Sequence, residues 1–280
     1  MKQACVVIPI YKSFDDLSRE ELHSFGQAMH ILGSHEIFFA CSHNFEPLEY
    51  LKKCKELKIS AKIKKFDDKY FHNIQGYNQL MLSVGFYRQF KTFCFILIYQ
   101  LDAFVFRDDL DYWCKKGYDY IGAPWFEGWN EGNNESNIIG VGNGGFSLRK
   151  INSTLRILKS YTRLTLLRSF WLKSKMNYFI SYSKLLSLLK LSFHITSLEK
   201  ANELFDNENT NEDYFLSQIL GNSFTYFKIA PYSEAIKFSF EVNPSLLYSM
   251  NGDMLPFGCH AWEKYEPEFW RRFISERLVF

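Results

Sequence analysis

Four stretches of this chain carry side chains that do chemistry when they are brought together. Gln100-Leu101-Asp102-Ala103-Phe104 sets a single acid among apolar neighbours, directly after the run TFCFILIY. A carboxylate there suits a divalent cation, which acts as a Lewis acid on a charged leaving group; an Asp after a strand is also a common turn or helix cap. Thr210 to Leu216, TNEDYFL, opens an amphipathic helix with two acids. They either complement the helix dipole or offer Asp213 as a general base toward a hydroxyl. Phe257-Gly258-Cys259-His260-Ala261-Trp262 supplies an imidazole that completes a metal site or sits among aromatics as a structural group. Gly140 to Arg149, GVGNGGFSLR, lets the backbone approach a ligand closely. Gly140, Gly142 and Gly145 match the GxGxxG spacing, but a loop precedes them and β-like Phe-Ser-Leu follows, so the context of a nucleotide-binding fingerprint is absent.

The elements that must position these residues alternate between strand and helix in the first half, the pattern of an α/β fold with a mainly parallel sheet. Strands are expected at Cys5 to Tyr11, Glu36 to Cys41, Ala61 to Phe66, Thr92 to Tyr99 and Tyr118 to Pro124. Helices are expected at Asp15 to Leu32, Pro47 to Leu57 and Ile74 to Phe90. The run Thr92 to Tyr99 is apolar on both faces, as a central strand requires, and Asp102 lies just past its end. In open α/β sheets ligands sit beyond the carboxyl ends of strands, so Tyr11, Ser42 and Gln100 to Asp102 are expected to share one crevice. Trp125 to Gly142, rich in Gly, Asn and Glu, reads as a functional loop in which Trp125 or Trp129 stacks on a ligand.

From Ser136 to Leu198 the chain has no acidic residue, while ten Lys and Arg from Arg149 to Lys190 lie among Leu, Phe, Tyr and Trp. The 150–200 segment therefore reads as a basic helical insertion within one domain spanning 1–280, and residues 149–192 suit an anionic membrane surface; a solvated basic face or an acidic partner fits the same charge. The net charge of +2 points to no nucleic acid. The six cysteines form no CxxC pair, so buried free thiols in a reducing, cytoplasmic setting are expected. No run approaches the roughly 20 apolar residues that span a bilayer, and the N-terminal run, interrupted at Pro9, lacks the pattern of a signal peptide.

Taken in order, these strings resemble inverting GT-A glycosyltransferases. Pro9-Ile10-Tyr11 looks like their base-binding start. Tyr77-Asn78-Gln79-Leu80-Met81-Leu82 resembles the FNRAxLL helix of animal β-1,4-galactosyltransferases. Gln100-Leu101-Asp102 falls where those enzymes carry DxD, Gly144-Gly145 where they carry a glycine pair, Glu212-Asp213 where they carry an ED pair, and His260 where they carry a late metal-binding His. YQLDAFVF, YDYIGAPW, GNGGFSLR and FGCHAW, with the ED helix, are closer to a bacterial family of glycosyltransferases.

The resemblance implies a GT-A fold (Rossmann-like, with a mainly parallel central sheet and a helical insertion) and transfer of a sugar from a nucleotide-sugar donor, a UDP-sugar in particular. The acceptor would be a glycan or lipid-linked hydroxyl in bacterial surface polysaccharide synthesis. It implies Mn²⁺ or Mg²⁺ held by Asp102 and His260, with an imidazole favouring Mn²⁺. Donor contacts would come from Pro9, Ile10, Tyr11, Asn78, Gln100, Asp102, Gly144, Gly145 and Lys264. Asp213 would be the base and Glu212 a ligand for a sugar hydroxyl. Lys264 also reads as an ordinary surface lysine. One departure stands out: Gln100 replaces the first acid of DxD, leaving Asp102 with His260 to hold the cation. Two other classes remain open. A nucleotidyltransferase would show a phosphate loop after the first strand, and Ile8 to Asp16 has none. A carbohydrate- or membrane-binding module would leave Asp102, Glu212, Asp213 and His260 without a role as a set.

Overall fold

The computed structural model describes residues 2–127, 137–173, 181–197, 200 and 210–274. Its first half runs β1 (Lys2–Pro9), α1 (Arg19–Leu32), β2 (Glu36–Ser42), α2 (Leu48–Glu56), β3 (Ala61–Phe66), α3 (Ile74–Met81), α4 (Val84–Arg88), β4 (Phe93–Tyr99), β5 (Ala103–Val105) and α5 (Leu110–Lys116). Local chemistry sets several of these bounds. Ser18 and Glu21 form a reciprocal capping box at the start of α1. Asn73 caps α3 through the Gly76 amide and Ser83 caps α4 through the Phe86 amide. The second cap breaks the single helix expected over Ile74 to Phe90 into two.

After α5 come β6 (Tyr120–Ile121), β7 (Ala123–Phe126), β8 (Ile138–Gly142), β9 (Phe146–Lys150), α6 (Ile151–Lys173) and α7 (Tyr182–Phe193). A helical run over 212–223 follows, π-helical across Phe215–Leu220, then a helix Tyr232–Phe238, β10 (Ser239–Phe240), a helix Pro244–Met250 and β11 (Gly258–His260).

The main sheet has six strands in the order β3-β2-β1-β4-β9-β6. The pairs β3/β2, β2/β1 and β1/β4 are parallel, and β9 runs antiparallel to both β4 and β6. Chain direction along the sheet reverses its order between β1 and β4, the switch point where an α/β sheet opens a crevice at its carboxyl edge. Side-chain alternation builds a core on each face. Cys5 and Val7 of β1 with Ile96 and Ile98 of β4 meet α3, α4, α6, α7 and the Phe215–Leu220 turn. Ala4, Val6, Ile8, Phe95, Leu97 and Tyr99 meet α1, α2 and α5. This is a mixed α/β fold with a mainly parallel central sheet between helical layers.

A second sheet, β10-β11-β5, packs a smaller core around Phe104, Phe240, Cys259 and Trp270. Its register sets His260 opposite Ala103, next to Asp102. The strand expected at Tyr118 to Pro124 divides between β6 in the main sheet and β7, which pairs with β8 as a hairpin. The expected loop from Trp125 to Gly142 is therefore strand at both ends. All six cysteines are free thiols, and among the described residues no helix is long and apolar enough to cross a membrane.

Candidate active site

Beyond the ends of β4 and β11 three polar side chains converge. β4 stops because Gln100 and Ala103 close a tight turn, the Ala103 amide donating to the Gln100 carbonyl at 3.0 Å. This turn lifts Asp102 out of the strand, and its side chain is 47 % exposed. His260 Nε2 stands 3.2 Å from Asp102 Oδ1 and 3.2 Å from Gln100 Oε1. On the other side of the ring, His260 Nδ1 lies 3.0 Å from Glu241 Oε1. Burial works against charge on the imidazole, but Asp102 and Glu241 outweigh it and hold His260 well above its ordinary value. Burial likewise opposes ionisation of Asp102, and the facing His260 overrides it, drawing the carboxyl below its usual range.

Among the described residues no group of three or more His, Cys, Asp or Glu side chains is arranged to hold a metal ion. The cluster at Asp102 offers two such ligands and an amide oxygen. Its donor spacing nevertheless suits a small divalent cation: two neighbouring ligands of an octahedron stand about 3 Å apart when each is about 2.1 Å from the metal. Both contacts of His260 Nε2 have that separation, and Glu241 orients the ring from its far nitrogen as a carboxylate behind a metal-binding imidazole does.

The β8–β9 turn closes the site from above. Asn143 has a positive φ of 118°, and its side-chain oxygen accepts from the amides of Gly145 at 2.9 Å and Phe146 at 3.0 Å. A Cβ on Gly145 would overlap the His260 imidazole and stand 2.8 Å from Gln100 Oε1; one on Gly144 would stand 2.7 Å from Glu212 Oε1. The two glycines are thus the clearance that lets the backbone lie against both acidic segments. Tyr77 of α3 donates its hydroxyl to the Gly144 carbonyl at 3.4 Å.

Glu212 and Asp213, adjacent in sequence, meet different surroundings. Glu212 is 1 % exposed. Its Oε1 accepts from the fully buried Arg149 at 2.9 Å, while its Oε2 is buried without a partner among the described residues. Arg149 also donates to the Tyr87 hydroxyl at 3.0 Å and to Ser147 Oγ at 3.1 Å. Asp213 is half-buried and accepts from the amides of Asn143 at 3.2 Å and Tyr214 at 2.8 Å. Burial first, then the charges of Glu212 and Glu241, push its carboxyl up to about 7. Two carboxylates with divided roles result, one locked to a guanidinium and one poised to exchange a proton near neutrality.

The other expected contacts divide. Tyr11 is 63 % exposed beside the cleft, with Lys12 Nζ 5.8 Å from its ring centre. Pro9 and Ile10 are buried in β1 and its continuation, their side chains turned away from solvent. Asn78 lies half-buried on α3. Lys264 is exposed at the rim, its ammonium over the Tyr265 ring at 4.7 Å and near enough to Asp102 and Glu241 to be held above its ordinary value, chiefly through its bond to Tyr265. Trp125 corrects its expected role. As part of β7 it is buried against Gly142 and its ring tilts on Tyr214 at 5.8 Å, so it supports the site from within and is not exposed to stack on a ligand. Trp129 lies outside the described residues. Arg149 is likewise not part of a basic surface: it anchors Glu212 from the core.

Sequence reasoning missed Glu241, Arg149 and Asn143 as site residues. The first two carried a signal, a charge inside a β-like apolar stretch, FSFEV and GFSLR. A cavity of about 600 Å³ lined by Arg107, Trp113, Lys237 and Leu255 lies at the opposite end of β5 and β11 from His260 and takes no part.

A search of curated proteins finds no match. Among solved structures, the apo form of mouse xyloside xylosyltransferase 1 is similar in fold, with a TM-score of 0.50 at 11 % identity over 92 % of this chain and 96 % of that one. That neighbour is a GT-A-type glycosyltransferase, and the likeness is one of architecture. The family profile described as "Protein of unknown function (DUF5672)" matches residues 60–260, a span that holds β4, the glycine turn, the Glu212-Asp213 helix and His260. With well over half of its length so matched, the chain belongs to the DUF5672 family.

Proposed function

We propose that this chain is a metal-dependent glycosyltransferase that moves a hexosyl group from a nucleotide-sugar donor, a UDP-sugar, to a hydroxyl of a glycan or lipid-linked acceptor, with inversion. The observation that carries the reading is the meeting of Asp102, Gln100 and His260 at the sheet's switch point, across the Gly144-Gly145 turn from Asp213. The five motif strings favour a bacterial enzyme of surface polysaccharide synthesis, working at the cytoplasmic face of the membrane.

Mn²⁺, or Mg²⁺ in its place, would bind Asp102 and His260 with Gln100 alongside and would neutralise the charge that develops on the departing diphosphate. Glu241 fixes the imidazole so that Nε2 faces the cleft. Tyr11, exposed just past β1, would contact the nucleotide's base. Asp213, with its carboxyl near 7, takes the proton of the acceptor hydroxyl as that oxygen attacks the anomeric carbon from the face opposite the nucleotide. Glu212 does not serve as base, because Arg149 occupies one oxygen; the other, buried and unpartnered among the described residues, suits a sugar hydroxyl. The backbone of Asn143 to Gly145 excludes water above the reacting atoms.

The discriminating experiment incubates the protein with a panel of nucleotide sugars, Mn²⁺ and candidate acceptors, and follows nucleotide release. Turnover that needs both metal and a sugar nucleotide supports the reading. Release of pyrophosphate from a nucleoside triphosphate instead would assign the site to nucleotidyl transfer.

A further inference from the structure

The helical insertion carries an apolar crest that none of the molecule's three cores uses. Six of the fifteen exposed large hydrophobic side chains among the described residues lie on α6 and α7: Leu166, Leu167, Phe170, Leu172, Leu188 and Leu191. Their spacing is ordered. On α6, Arg156, Lys159, Arg163, Leu166 or Leu167, Phe170 and Lys173 recur every three or four residues along a single helical face, and all are exposed; Leu172 is exposed off that face. On α7 the same interval aligns Lys184, Leu188 and Leu191, likewise exposed. The opposite sides are occupied: Leu164, Leu186 and Leu189 are buried in the core beneath, and Trp171 packs against Tyr182 at 5.5 Å.

Charge identifies the occupant. No acid occurs on either helix or anywhere from Ser136 to Leu198. A second copy of the chain would bring the same basic residues against one another, so self-association through this face meets repulsion. An ordinary solvated basic helix would not expose Leu191 to 76 %, Leu166 to 65 % and Phe170 to 62 %. Aliphatic and aromatic side chains flanked by Lys and Arg on one helical face match the boundary between acyl chains and anionic headgroups. We infer that α6 and α7 dock the protein on an anionic membrane, with Leu166, Leu167 and Phe170 inserted and Lys159, Arg163, Lys173 and Lys184 on the headgroups. This surface stands independently of the transfer reading, because its test involves no turnover.

The test is flotation of the full chain with vesicles of phosphatidylcholine alone and of phosphatidylcholine with phosphatidylserine, at low and high salt. Binding is expected to the anionic vesicles and to weaken as salt screens the headgroups. The variant L166S/L167S/F170S, altered only at exposed positions, should lose about tenfold or more in partitioning while keeping its circular dichroism. K159E/R163E/K173E should lose the preference for anionic lipid. Absence of flotation, equal binding to both vesicles, or undiminished binding by the serine variant would each overturn the inference. So would a concentration-dependent dimer in sedimentation that the serine variant abolishes, since the face would then belong to a second copy.

Discussion

Asp213 is where stability and activity should move in opposite directions. Its carboxyl, near 4 in an unfolded chain, is pushed up to about 7 by burial and by Glu212 and Glu241, against the pull of Arg149. The folded protein therefore holds the proton more tightly than the unfolded chain. The associated stability is complete below about pH 4 and is lost as pH rises toward 7. Over the upper part of that window the base form appears, so kcat/KM should rise with an apparent pKa near 7. Asp213→Asn is expected to cut turnover by about 10²- to 10⁴-fold and yet to melt higher than wild type at pH 8, with little difference at pH 4. A variant equal to wild type in turnover would remove Asp213 as base. Glu241→Gln tests the imidazole: it should weaken Mn²⁺ binding about 10- to 100-fold in titration calorimetry with nucleotide diphosphate present. Unchanged affinity would make Glu241 a neighbour only. Asp102 was legible because a lone acid closes an apolar strand. Glu241 stood out only as a charge in a β-like stretch, because what gives it a role is the pairing of β10 with β11, a contact between segments 19 residues apart.

At the scale of elements, the site depends on how β9 is tied to the helix that starts at Glu212. Arg149 points into the core from β9, and its bond to Glu212 crosses from sheet to helix with both side chains essentially without solvent contact. Removing one partner of such a pair leaves a buried charge, which costs about 3–5 kcal/mol, whereas replacing both by apolar groups recovers much of that loss. Arg149→Met should therefore lower the urea midpoint strongly. R149M/E212L should restore most of it while leaving transfer defective, since the one Glu212 oxygen proposed for the sugar is gone. If both variants unfolded alike, the pair would not be what fastens the helix to the sheet. The alternation of strand and helix made the sheet and its flanking layers readable, down to Glu36 and Ala61 as the first residues of β2 and β3. Trp125 and Arg149 were misread for one reason. Composition marks a residue as aromatic or basic, but only its register in a strand decides whether it meets solvent or core, and the β7–β8 hairpin turns Trp125 inward.

For the whole molecule, the proposed function would make metal and nucleotide binding one event. Asp102 and His260 would supply two ligands, with the Gln100 amide a weaker third, and they come from separate sheets: the Gln100–Asp102 turn follows β4 of the main sheet, and His260 ends β11 of the smaller one. Two protein ligands leave most of an octahedral shell to other oxygens, and the diphosphate of a nucleotide brings them. Binding energy from either component alone is then small, and each raises the other's affinity by the same factor. A ligand that binds only the folded state at a hundred times its dissociation constant stabilises it by about 2.7 kcal/mol. In a chain of this size that corresponds to a rise of roughly 5 °C in Tm. Thermal melts should accordingly show a shift of that size with Mn²⁺ and a nucleoside diphosphate together, and at most a small one with either alone. In Asp102→Ala the joint shift should fall to the sum of the separate ones. A full shift with nucleotide in the presence of a chelator would mean that the diphosphate is held by the protein's own donors, with Lys264 at the rim and the Asn143–Gly145 backbone the groups best placed to do it.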